Sequence, residues 1–206
     1  MIVIVIHVVL LLTGSASALS ITVCPNCGEM EVPYPLSTQE GCGDPNYRLY
    51  CNDHSLEFKS QVEAYYRILS IDAVANKLVI GTPEIQKEMC SSSDLTEGGL
   101  KLDESLPFNI SNRNTVMLFN CSENILLSPL NCSANSPCRL FEKVPEGSAC
   151  RNTLCCSYLK DASITAHRIR IRPGGCSAYT SIVNLHFPDS PETWNYGIEL
   201  QWSSPS

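Results

Sequence analysis

Residues 24–51 read CPNCGEMEVPYPLSTQEGCGDPNYRLYC. Four cysteines, two Cys-Gly pairs and a Pro-Tyr-Pro fall within these 28 residues, directly after an apolar leader. Cysteines this dense serve a fold only where thiols are oxidised. The chain has twelve: Cys24, Cys27, Cys42, Cys51, Cys90, Cys121, Cys132, Cys138, Cys150, Cys155, Cys156 and Cys176. The even number predicts six disulfides and no free thiol. Zinc is the competing use of Cys24-x-x-Cys27, but no second CxxC or His pair stands at finger spacing, so no metal site is expected. Pairing cannot be read from spacing. Cys155 and Cys156 are adjacent, and an extended chain sends neighbouring side chains to opposite faces, so they are expected to bridge to two different partners.

Residues 1–12 are almost all Ile, Val and Leu, and Thr13-Gly14-Ser15 breaks the run before Ala16-Ser17-Ala18. Small residues at the two positions that a signal peptidase reads predict a cleavable signal peptide over residues 1–18, although its start carries no Lys or Arg. The apolar run is far shorter than the ~20 residues of a spanning helix, and no later segment is long or apolar enough to cross a bilayer.

Beyond the leader, helical periodicity is almost absent. Short β-branched and aromatic runs at 65–71, 78–80, 115–119, 164–171, 179–187 and 198–202 alternate with Gly, Pro, Asn, Asp and Ser clusters. This predicts a mainly β fold of two small disulfide-rich antiparallel modules with little helix. A helical turn is expected at 84–89, and Pro33-Tyr34-Pro35 is expected to be a rigid extended segment. The polar stretch 91–103 (SSSDLTEGGLKLD) reads as a junction between modules at 20–95 and 105–202. Charge divides there as well. Residues 20–107 carry fourteen acids and six bases, whereas residues 108–206 carry seven acids and eight bases.

Catalysis finds little support. Mature histidines are only His54, His167 and His186, none in a catalytic motif, and no carboxylate pair is singled out. A binding protein without enzymatic activity or cofactor is expected. The strongest local feature is His167-Arg168-Ile169-Arg170-Ile171-Arg172. On a strand, Arg168, Arg170 and Arg172 share one face about 7 Å apart, where guanidiniums fork onto successive carboxylates of a polyuronide. A solvated outer face is the alternative. Tyr65 and Tyr66 point to opposite faces, leaving one as a stacking platform for a sugar. Three N-x-S/T sequons mark Asn109, Asn120 and Asn131, of which Asn109, expected in a turn-rich stretch after Pro107-Phe108, is the favoured glycosylation site.

Cys24/Cys27-Gly28, Tyr34-Pro35-Leu36, Cys42-Gly43 and the run 47–51, followed by Tyr66-x-Ile68, Ile71, 78–80 and Cys90, resemble the galacturonan-binding domain of plant wall-associated receptor kinases. The second half is similar to the module that follows it in the same ectodomains: Asn120-Cys121-Ser122, Cys132/Cys138/Cys150, Cys155-Cys156, Gly175-Cys176-x-Ala178-Tyr179 and Gly197-Ile198-Glu199-Leu200-Gln201-Trp202. The resemblance implies a secreted or cell-surface protein that binds pectin in the cell wall, membrane-associated if it is the ectodomain of a longer receptor, and without a kinase in this chain. The alternative function is a secreted ligand or decoy that engages a receptor ectodomain. Nucleic acid is not an expected partner.

A surplus of eight acids in residues 20–107 opposes attraction of a polyanion. Three outcomes stay open: the second module makes the contact, Ca2+ bridges carboxylates on both sides, or this member has lost pectin affinity.

Overall fold

The computed structural model describes residues 22–125, 130–159, 168–169, 175–186 and 188–205. The expected signal peptide and most of the expected strand 164–171, with Arg170 and Arg172, lie outside these residues. Nine strands are formed among the described residues: β1 (Tyr50–Asn52), β2 (Ser55–Lys59), β3 (Tyr65–Asp72), β4 (Lys77–Ile80), β5 (Phe108–Ile110), β6 (Asn114–Phe119), β7 (Cys156–Leu159), β8 (Ala178–Val183) and β9 (Ile198–Trp202). One α-helix of a single turn, α1 (Pro137–Phe141), and several 3-10 turns complete the set. The fold is mainly β, as the punctuated β-branched runs predict.

The strands form two antiparallel sheets, ordered β1-β2-β3-β4-β9-β5 and β7-β6-β8. The larger sheet draws on both halves of the sequence. β9 inserts between β4 and β5, with Leu78 opposite Leu200 and Phe108 opposite Trp202. Alternation decides which side faces inward. Phe58, Ile68, Leu78, Ile80, Phe108, Leu200 and Trp202 are all buried in one core together with Leu36 and Leu49 of the opening segment. A second cluster, around Met117, Phe119, Phe141 and Trp194, packs α1 against the smaller sheet.

All twelve cysteines pair. Cys24–Cys42 and Cys27–Cys51 tie the opening segment to itself and to β1. Cys90–Cys150, Cys121–Cys176, Cys132–Cys156 and Cys138–Cys155 tie the rest, so Cys155 and Cys156 do take different partners.

Several local expectations give way. Residues 84–89 form no helical turn; Ile85 makes an isolated bridge with Ser92, since Pro83 and the return of the chain at Lys87-Glu88 favour a loop. Pro33-Tyr34-Pro35 is a turn rather than an extended segment. Its Tyr34–Pro35 bond is cis, and the Leu36 N–H donates to the Pro33 carbonyl at 2.9 Å. The strand expected at 179–187 ends at Val183, because Asn184 turns to φ 58°. Asn109 lies not in a turn but on β5, exposed between buried Phe108 and Ile110.

Both Cys-Gly pairs have a structural reason. Gly28 (φ 59°) brings its α-carbon against the His54 carbonyl, where a Cβ would sit 2.5 Å from the oxygen. Gly43 (φ 62°) packs as closely on the Leu36 backbone, whereas Gly41 (φ 83°) has open space around it. Gly43→Ala is expected to destabilise the oxidised protein by about 3 kcal/mol, adding a backbone clash to the left-handed cost, and Gly41→Ala by only about 1 kcal/mol. Urea midpoints of the two variants measure this. Equal costs would mean that the Leu36 backbone moves aside freely.

The sheets are joined by buried polar groups. Tyr66 of β3 and Tyr179 of β8 each donate a hydrogen bond to Asp94 Oδ2 at 2.6 Å, and the Leu100 N–H donates to the Tyr179 hydroxyl at 3.1 Å. Burial first raises both phenols above their ordinary range, and Asp94 adds to the rise at each, so both stay protonated donors.

Candidate binding face and its relatives

The turn Asp53-His54 is the two-residue loop of the β1–β2 hairpin. Both residues have positive φ, 46° and 63°, which matches the twist of the strands they connect. The hairpin sets Tyr50 opposite Glu57, Glu57 opposite Arg67, and Lys59 opposite Tyr65. With inward positions taken by Leu56, Phe58, Tyr66 and Ile68, these residues form the outer face. Tyr65 is 47% exposed where its neighbour Tyr66 is 6% exposed, so Tyr65 is the available platform.

Tyr50 and Tyr65 meet edge to face, with centroids 5.4 Å apart and planes at 87°. The two rings make a floor and a wall. Lys59 Nζ lies 5.9 Å from each centroid, and the Arg48 guanidinium lies 5.9 Å from the Tyr50 ring, within cation–π range. Lys59 also reaches Glu63 Oε1 at 2.7 Å, and this hydrogen bond is the main cause that raises its ammonium above the ordinary value. Asn52 Nδ2 donates to Glu57 Oε2 at 2.7 Å, which holds that carboxylate towards β1.

Arg67 also borders a groove of about 570 Å3. Buried Leu56 and Ile68 contribute to its lining, as do exposed Glu29, Glu31, His54 and Arg67. The groove and the aromatic corner therefore adjoin along β3. Such a surface offers stacking faces, hydrogen-bond donors and a few cations to an extended polar chain. Among the described residues no group of three or more His, Cys, Asp or Glu is placed to hold a metal ion.

Residues 24–81, which carry the whole aromatic corner and the groove, match the family model described as "Wall-associated receptor kinase galacturonan-binding". These residues belong to that family. The chain as a whole is similar to wall-associated receptor kinase-like 20 of Arabidopsis thaliana, at 42% identity over 88% of this chain and 29% of the relative. It is also similar to wall-associated receptor kinase-like 15 of the same plant, at 37% identity over 95% of this chain and 32% of the relative. The chain thus spans about a third of the length of these curated relatives. No solved structure shows a significant match. Among the described residues no helix is long and apolar enough to cross a membrane.

Of the sequence-read candidates, Tyr65 lies on this face, and of the arginines only Arg168 is among the described residues. Arg168 is half-buried and forms an isolated antiparallel bridge with Lys101, while Ile169 is buried and its N–H donates to the Leu100 carbonyl at 2.9 Å. Arg170 and Arg172 lie outside the described residues. Of the sequons, Asn109 is exposed on β5, the Asn120 amide donates to Ser177 Oγ at 2.8 Å, and Asn131 Oδ1 accepts from the Ser133 N–H at 3.1 Å. Arg48, Tyr50, Lys59 and Arg67 were not singled out in the sequence. The available signal was the Asn52-Asp53-His54-Ser55 turn: read as a two-residue hairpin, it would have put Tyr50 and Lys59 beside Tyr65.

Proposed function

We propose that this chain is the wall-facing region of a wall-associated receptor kinase-like protein and that it binds galacturonan on the outer face of β1–β3. One observation carries the reading. Within the family-matched residues, two tyrosines and three of the six bases of residues 20–107 gather on one exposed face. Aromatic faces stack on the C–H side of a sugar ring while cations and amides hold its carboxyl and hydroxyl groups. The same reading places the protein outside the cell, delivered by the cleavable leader and glycosylated at Asn109. Calcium, if it takes part, would be shared between exposed carboxylates of the protein and those of the polymer.

The double variant Tyr50→Ala, Tyr65→Ala is expected to weaken binding to immobilised galacturonan at least about tenfold with little change in melting temperature. Arg168→Gln, Arg170→Gln, Arg172→Gln serves as the competing variant. Loss of binding in the arginine triple alone would move the site to that stripe. If the wild-type chain retains no galacturonan but captures a receptor ectodomain, the ligand reading replaces this one.

A further inference from the structure

The charges on this face do not suit a densely ionised polymer. Arg48, Lys59 and Arg67 are opposed there by Glu57 and Glu63, which leaves a surplus of one positive charge. Lys59 is engaged by Glu63 at 2.7 Å, and Arg67 stands across the ladder from Glu57. The adjoining groove adds Glu29 and Glu31, both exposed, so the strip along β3 as a whole turns negative. Around it residues 20–107 carry fourteen acids against six bases.

A fully ionised galacturonan bears one carboxylate on every sugar. Laid along this strip, it would bring successive anions against Glu57, Glu63, Glu29 and Glu31, and like charges brought together oppose association. The apolar and aromatic content of the face points the other way. Tyr65 and Leu69 are each 47% exposed on the outer side of β3, and Tyr50 supplies a second ring at right angles. Rings of this kind accept sugar C–H faces and ester methyl groups, and an ester carbonyl still accepts hydrogen bonds from Lys59 or Arg67.

We propose that the face selects galacturonan whose carboxyl groups are mostly methyl-esterified, with an occasional free carboxylate, over the fully de-esterified polymer. This inference rests on the galacturonan reading above and specifies its ligand.

The test uses the full oxidised chain and two galacturonan oligomers of equal length, one de-esterified and one highly methyl-esterified, in the presence of a calcium chelator. At low ionic strength the esterified oligomer is expected to bind at least about fivefold more tightly, and the gap should narrow as salt screens the repulsion. Glu29→Gln with Glu31→Gln should improve binding of the de-esterified oligomer selectively and leave the esterified one nearly unchanged. Tighter binding of the de-esterified oligomer, weakened by salt, overturns the selectivity while leaving galacturonan binding intact. Failure of both oligomers to bind overturns the galacturonan reading itself, and the selectivity with it.

Discussion

Full reduction under otherwise native conditions is expected to unfold the protein completely. Two of its bridges, Cys90–Cys150 and Cys121–Cys176, close sequence separations of 60 and 55 residues, and the other four close separations of 17 to 24. In the chain-entropy view each restricts the unfolded state by about 3–4 kcal/mol. Even with imperfect additivity, the total exceeds the roughly 5–15 kcal/mol by which a typical domain is stable. The two tryptophans supply the readout, since Trp194 and Trp202 are both buried. Their fluorescence should shift to the red on reduction and alkylation, and the near-ultraviolet circular dichroism should vanish. Alkylated protein that kept both signals would show that the two hydrophobic clusters suffice alone.

Asn114→Ala is expected to cost as much as the Gly43→Ala change. Asn114 opens β6 and is fully buried. Its Nδ2 donates to the Ser111 carbonyl at 2.8 Å and to the Glu199 carbonyl at 2.9 Å, and its Oδ1 accepts from the Glu199 N–H at 2.8 Å. The side chain thereby stitches the start of the smaller sheet to β9 of the larger one. Next to this stitch the buried Glu199 carboxylate accepts from Ser111 Oγ at 2.6 Å and pairs with Lys77 at 3.3 Å and Arg113 at 3.5 Å. Alanine would leave a buried N–H without an acceptor and remove two donors from carbonyls. A loss of about 3 kcal/mol is expected, with the melting temperature lower by roughly 6–12 °C. Calorimetry of the oxidised variant measures it. A loss below about 1 kcal/mol would mean that water replaces the amide, and that the sheets are held by their bridges instead.

Long, strongly alternating runs were legible from sequence. The strands at 65–71, 115–119 and 198–202 stand within a residue of where β-branched and aromatic residues put them. Of the shorter elements β4 was legible at 78–80, but others were not. β1, β5 and β7 have three or four residues each, too few for a period of two to show, and cysteine or proline at or beside each hides what remains. The change of composition at 91–103 also says nothing of the strand order. Pairing of β9 with β4 depends on side chains far apart in sequence, and no local window contains both. The binding face suffered from the same limitation. Tyr65 was visible as one of a pair pointing to opposite sides, but its partners Tyr50 and Lys59 come from a hairpin set by two positive-φ residues that are not glycine.

The place of β9 bears on how the protein is made. A chain entering an oxidising compartment from its N-terminus presents Cys24, Cys27, Cys42 and Cys51 early, and their two bridges need nothing beyond β1. β4 is in a different position. One side of it pairs with β3, but the other must wait for residues 198–202 to be synthesised. Until then the apolar Leu78 and Ile80 sit on an open edge, the kind of template on which strands of other chains pair wrongly. The vulnerable interval in biosynthesis is therefore the translation of everything between Ile80 and Trp202, and a fragment cut after the family-matched residues would remain in that interval permanently.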